Sequence, residues 1–280
     1  MWLPSKDDIY NDLEVNPWLR LRNRFLRIIL SPYRLTKALF MITGAIVWCT
    51  LLVIGIWAYW LVSTLPAAND FEQIKRDAES HLTSLSAGQS NIIWTPLSDI
   101  NRELLYAIVM SEDGDFFVHQ GIDYDAMISA LGENIKRREW SYGASTISQQ
   151  TAKNLYFSGS KSLYRKMKEF IVTKRLESHL SKNDILEVYL NLVEFGPDIY
   201  GVHDASQYYF SKRPDELNAA QGAFLALLMP SPRKYHYTIF KNQHLAPRHK
   251  RKYKRILQDM RYKELISPRQ YNTYINWAFF

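Results

Sequence analysis

Residues 111–169 alternate two carboxylates and a set of cations with small polar side chains, a mixture that suits the transfer of a sugar away from a phosphate leaving group. Glu112 falls at an expected helix end, before an Asp-Gly-Asp turn with Phe116, Phe117 and His119 beyond it. A carboxylate there projects into a groove while the aromatics limit water access, which raises its basicity and suits general-base work; a solvated or capping acid is the plain alternative. In G-A-S-T-I-S-Q-Q-T-A-K-N, residues 143–154, Ser145 can cap a helix whose free amides point at an anion. Ser145, Gln149 and Lys153 then share one face, and Thr146, Gln150 and Asn154 form the adjacent row. An ordinary exposed helix side fits the same pattern. Arg165 and Glu169 stand at i, i+4 with Lys161 and Lys166 nearby. They are either surface ion pairs worth roughly a few tenths of a kcal/mol or a cationic cradle for a diphosphate, with Glu169 orienting the cations or a donor sugar.

Helices must hold these groups, and the pattern past residue 94 is helical. Ser98 or Asp99 can cap a helix through Leu104, Leu105, Ile108 and Val109 that ends near Glu112. Residues 123–138 form a second, with Met127, Ile128 and Leu131 on one face and Lys136, Arg137 and Arg138 at the end that favours cations. Further helices fit 145–156, 162–180, 181–193, 201–210, 214–228, 247–265 and 268–278. Ser181 and Asp184 can cap the third of these, whose Ile185, Leu186, Tyr189 and Leu190 make a packing face. No period-2 strand, Gly-x-Gly loop or internal repeat stands out. The lone histidines lack metal-ligand spacing, so His119 is expected as a hydrogen-bonded brace and no metal ligand is assigned.

At 280 residues, 47% hydrophobic and 14% aromatic, the chain is neither disordered nor collagen-like. The single cysteine, Cys49, precludes an intrachain disulfide. From Ala38 to Asn69 there is no charged residue, and 38–62 is apolar and long enough to span a bilayer, which takes about 20 residues. Seven cations precede it and only Lys75 and Arg76 closely follow, which predicts a cytoplasmic 1–37, a transmembrane helix at 38–62, a stalk at 63–93 with a short helix at 71–82, and an extracytoplasmic helical domain at 94–280. The net charge of +7 gathers in the N-terminal segment and at 248–255; without a nucleic-acid-binding motif these are expected to be membrane-proximal or solvated faces, with no nucleic-acid partner.

Five ordered blocks carry a resemblance: Glu112, Asp113, Phe116, His119 and Gly121; G-A-S-T-I-S-Q-Q-T-A-K-N; R-K-x-x-E; S-K-N-D-I-L-E-V-Y-L-N; and Y-G-V. In this order they resemble the peptidoglycan glycosyltransferases, over about residues 94–271, and the anchor without a second domain looks like the monofunctional branch. The resemblance implies a mainly α, lysozyme-like fold with a membrane-associated jaw, in a single-pass protein of the bacterial plasma membrane. It implies polymerisation of lipid II with inversion and release of undecaprenyl diphosphate. Carried over, Glu112 is the general base and Glu169 the second catalytic carboxylate. Lys153, Lys161, Arg165 and Lys166 hold the diphosphate, and Ser145, Thr146, Gln149, Gln150 and Asn154 shape the donor site. Expected partners are lipid II, the growing glycan, the bilayer and other cell-wall synthesis or division proteins. No cofactor is required by the sequence, although a divalent ion, Mg or Mn, accompanies the diphosphate in parts of the family. Tyr142, Phe117 and Gln221 depart from residues common there.

Three rivals remain. Ser158-Gly-Ser-Lys161 and Ser181-Lys-Asn183 mimic two acylation motifs of a bifunctional penicillin-binding protein, but no Lys-Thr-Gly follows. A lysozyme-like hydrolase needs one acidic Glu but leaves the cations and anchor unexplained. An inactive assembly scaffold would not need Glu112 and Glu169 intact. The apolar residues near 116–131, among them Phe117, Met127 and Ile128, are expected to touch either the bilayer or the core.

Overall fold

The computed structural model describes residues 17–85, 93–138, 143–157 and 162–279; Lys161 and Tyr142 lie outside them. The chain divides into two units, Met1–Thr64 and Leu65–Phe280. The first holds one helix, α1 (Pro17–Ser63), whose apolar part has the length and composition of a membrane span.

In the second unit the expected stalk helix forms as α2 (Phe71–Leu85), but it does not stand off as a spacer. It buries Ile74, Ala78 and Leu82 against the domain. From residue 93 the chain enters a short 3-10 turn at Leu97–Asp99, so neither Ser98 nor Asp99 caps the next helix. Ile100 is extended, and Asn101 is the cap of α3 (Arg102–Glu112), accepting from the Glu103 amide at 2.9 Å. Asp123 caps α4 (Tyr124–Arg137), and Arg138 closes it in the left-handed conformation. There follow α5 (Ile147–Tyr156), α6 (Leu163–His179) and α7 (Lys182–Leu192), the last two capped by Ser162 and Ser181. Asp184 completes the expected box at the start of α7.

Among the described residues one small hairpin interrupts the helices. Glu194–Gly196 (β1) and Ile199–Tyr200 (β2) form a small antiparallel hairpin, turned at Asp198 with φ of 58°. Two- and three-residue strands are too short to display a period. Then come α8 (Gly201–Phe210), a 3-10 turn at Pro214–Glu216, and α9 (Ala219–Leu228). The predicted helix 214–228 is thus broken at Leu217 and Asn218, because Asn218 and Gln221 make a capping box there. Gln221 serves that box as a Glu would. A one-turn helix α10 (Pro232–Tyr235) runs into a π-helical turn, and α11 (Pro247–Tyr262) and α12 (Pro268–Tyr274) end the fold.

The core is built around α9, every residue of which is buried. Gly222 lets it approach α3 closely: a Cβ there would lie 2.8 Å from the Leu104 Cα and 2.9 Å from the Ala107 Cβ. Leu104, Leu105, Ala107, Ile108 and Val109 fill the α3 side, and Tyr253, Ile256, Leu257 and Met260 bring in α11. Glu103 locks the start of α3, accepting from the Ala219 amide at 3.1 Å and the Tyr274 hydroxyl at 2.7 Å. Glu187 and Asn191 of α7, polar positions in a packing helix, hold the segment 94–97. Glu187 accepts from the Trp94 indole and the Leu97 amide, each at 2.8 Å, and Asn191 exchanges two bonds with Thr95. The C-terminal end of α3, with Glu112, is therefore fixed against a rigid centre.

Candidate active site

The loop after α3 is pinned from three sides. Asp113 accepts from the Ile147 amide at 2.9 Å through one oxygen and meets His119 Nε2 at 2.9 Å through the other, so His119 is the brace expected of it. Burial pushes the Asp113 carboxyl above its ordinary value, and its bonds to His119 and the Ile147 amide oppose this. Phe116 is fully buried beneath the Lys182 ammonium, which lies 4.4 Å from its ring centre and pairs with Glu177 at 2.7 Å. Gly121, with φ of 84°, ends the loop and accepts from the Thr146 hydroxyl at 2.7 Å. From the far side Lys263 donates to the Gly114 carbonyl at 2.7 Å and to Asp115 at 2.8 Å.

Glu112 stands at the edge of a cleft of about 260 Å³ lined also by Asp115, Asp123, Gly143, Ala144 and Ser145. Its side chain is 13% exposed. Gln150 donates to it at 3.2 Å and accepts weakly, at 3.4 Å, from Tyr189, whose buried phenol is raised well above its ordinary pKa by desolvation and by the charges of Glu112 and Asp113. On the other side Lys252 of α11 reaches Glu112 at 3.8 Å. Burial lowers the Lys252 pKa; Glu112 opposes the shift and Arg255 adds to it.

One turn beyond Gln150 the same helix presents Lys153, which feels the charges of Glu169, Arg165, Lys166 and Glu112. Glu169 is 2% exposed, with Arg165 on one oxygen and Lys166 at 3.2 Å from the other. Lys166 also donates to the Ser145 hydroxyl at 3.2 Å. The carboxylate of α3 and the cations of α5 and α6 are therefore linked: Lys153 lies within electrostatic reach of Glu112, and Lys166 bonds Ser145 at the lining of the Glu112 cleft. A buried acid surrounded by three cations leaves a positive surplus, which is the requirement for a diphosphate pocket.

Residues 78–261 match a family model described as Transglycosylase. A biosynthetic peptidoglycan transglycosylase of Chromobacterium violaceum is 37% identical over 242 residues, 82% of this chain and all of that protein. The chain belongs to the transglycosylase family. Transglycosylases of the same description from Pasteurella multocida and from Janthinobacterium sp. are 49% identical over 139 residues and 44% over 142 residues. Those alignments cover 50% and 51% of this chain, and 56% and 62% of the relatives.

In this transglycosylase the site residues named from sequence divide into four groups. Glu112, Gln150, Lys153, Arg165, Lys166, Glu169 and Ser145 converge as described. Asn154 lines a neighbouring cavity of about 200 Å³ together with Lys153, Phe157, Glu194 and Tyr200. Thr146 lines the Glu112 cleft, while its hydroxyl and the Gln149 side chain are taken up by the cap of α5. Both are buried in the capping box at the start of α5, whose cap is Thr146 and not Ser145. Two adjacent hydroxyls can each cap, and the Gly121 carbonyl selects the second. Lys161 is outside the described residues. Sequence reasoning missed Lys252, Lys263 and Lys182. The periodicity of α11, which buries His249, Tyr253, Ile256 and Leu257, could have separated inward-leaning Lys252 from its exposed neighbours.

Proposed function

We propose that this chain polymerises lipid II into β-1,4-linked glycan strands by inverting glycosyl transfer, with release of undecaprenyl diphosphate. The observation that carries the reading is that Glu112 lies within electrostatic reach of Lys153, beside the Arg165 and Lys166 cations gathered on Glu169. Glu112 takes the proton of the acceptor's 4-hydroxyl, and the freed oxygen attacks the anomeric carbon at the lipid-linked end of the growing chain. The bond to the diphosphate breaks, and its electron pair goes to the leaving oxygen. Preorganised cations meet the charge where it develops, so little protonation of the leaving group is needed. Gln150 and Lys252 orient Glu112 from either side. Glu169, expected as a second catalytic carboxylate, has both oxygens engaged; its role is to hold Arg165 and Lys166 in place.

Among the described residues one cluster beside the cleft has the spacing to hold a divalent ion. Asp113, His119 and Asp123 bring ligand atoms within 4.8 Å of one another, but both Asp113 oxygens are bonded and Asp123 caps α4. The apolar part of α1 crosses the plasma membrane with 1–37 on the cytoplasmic side. The exposed Tyr124, Met127, Ile128, Leu131 and Ile135 of α4 form the jaw that meets the bilayer, where the lipid of the substrate remains.

Incubation of the purified full chain with lipid II tests this reading. Long glycan and free undecaprenyl diphosphate are expected. Muropeptides released from intact sacculi without polymer would favour a hydrolase, and no turnover of either substrate would favour a scaffold.

A further inference from the structure

We infer that the first part of α1, residues 17–37, is an amphipathic arm that lies on an anionic phospholipid surface; this rests on the proposal that the apolar part of the same helix crosses the membrane. The helix is continuous from Pro17 to Ser63, which ties the arm to the span and gives it a length of about 31 Å. There is no acidic residue between Glu14 and Asp70, while Arg20, Arg22, Arg24, Arg27, Arg34 and Lys37 lie within the arm. At the helical period Arg20, Arg24, Arg27 and Arg34 fall within an arc of about 80°, Trp18, Leu21 and Phe25 fall within about 60° on the other side, and Arg22 flanks that apolar stripe about 40° beyond Trp18. That second stripe is 79%, 59% and 66% exposed at the three residues.

A stripe of this kind in water is unfavourable, and at the headgroup boundary both faces are satisfied at once. The aromatic and leucine side chains enter the acyl edge while the guanidinium groups meet lipid phosphates. An acidic protein or a nucleic acid would match the arginines but leave Trp18, Leu21 and Phe25 solvated. Pro32 separates most of the arm from the span. Its nitrogen carries no hydrogen for the bond to the fourth carbonyl back, so the axis can bend there and turn the arm toward the bilayer plane.

The test uses the full chain with Cys49→Ser, carrying a polarity-sensitive fluorophore at Leu21→Cys or, as a control, at Val53→Cys. The protein is placed in nanodiscs of phosphatidylcholine alone or mixed with phosphatidylglycerol, with a nitroxide quencher at headgroup depth or in the acyl region. The Leu21 probe is expected to shift to the blue and be quenched in the anionic discs, and to lose this in neutral discs or at high salt. Each of Arg20, Arg24, Arg27 and Arg34 changed to Gln is expected to weaken the docked state about fivefold. A water-exposed Leu21 probe in anionic discs, beside a lipid-quenched Val53 probe, overturns the inference and leaves the span intact. Equal quenching in both kinds of disc also overturns it. An unquenched Val53 probe overturns the span, and the arm with it. The salt dependence of the protein with all four arginines keeps the test decisive if the substituted chain folds poorly.

Discussion

Lys153 is a cation held where water is scarce. Burial lowers its pKa from the ordinary 10.5, Arg165 and Lys166 lower it further, and Glu169 and Glu112 pull it back. Rising pH therefore removes this ammonium sooner than it would an exposed lysine. Below the depressed value both folded and unfolded chains carry the proton, and the cost of burying the charge is fully felt. Between that value and 10.5 the fold gains stability, while the diphosphate pocket loses a charge. Activity should then fall on the alkaline side before the ordinary lysine range. Lys153→Arg keeps its charge there, so the alkaline limb of kcat/KM should move upward even if the maximum declines. A limb that stays in place in a pH series would assign the titration to another group. At this scale much was legible, since Glu112, Lys153, Arg165 and Glu169 are close in sequence and their types announce charge. Lys252 was not, because 140 residues separate it from Glu112 and only the packing of α11 turns it inward.

Helices position these side chains, and the contact between α3 and α9 matters most because Glu112 ends the first and the second is its bed. Gly222→Val would force β-branched atoms against the Leu104 backbone, where the present approach leaves no room for a Cβ. The expected cost is about 1–3 kcal/mol, and each kcal/mol lowers Tm by roughly 2–4 °C in a domain of this size. Thermal unfolding of the full chain in detergent checks it; an unchanged Tm would show that the two helices separate freely. The helix ends marked by Asp123, Ser162, Ser181 and Asp184 were readable because a side chain close in sequence caps the backbone. The break at Leu217 and the β1–β2 hairpin were not, since Pro214 imitates a helix start and two short strands lack a pattern. The packing of α2 was hidden for a different reason. Its few buried side chains, Ile74, Ala78 and Leu82, look like any sparse amphipathic stripe.

For the molecule as a whole, the proposal joins a charged groove to a substrate whose lipid stays in the bilayer. Ile128 and Leu131 are 66% and 47% exposed, so replacing both with Glu should leave the fold intact. The cost should appear at the membrane. Vesicle binding and turnover of full-length lipid II should fall together, while circular dichroism and Tm remain as before; a loss of Tm would instead make these residues part of the core. The claim on which the remainder depends is that Glu112 activates the acceptor beside a separately built diphosphate pocket. Single-turnover polymerisation of lipid II by Glu112→Gln, with lipid II binding measured on the same protein, tests it most directly. Turnover is expected to fall by about 10²–10⁴-fold with binding nearly unchanged, the range for removal of a general base. Polymerisation at the unsubstituted rate would contradict it.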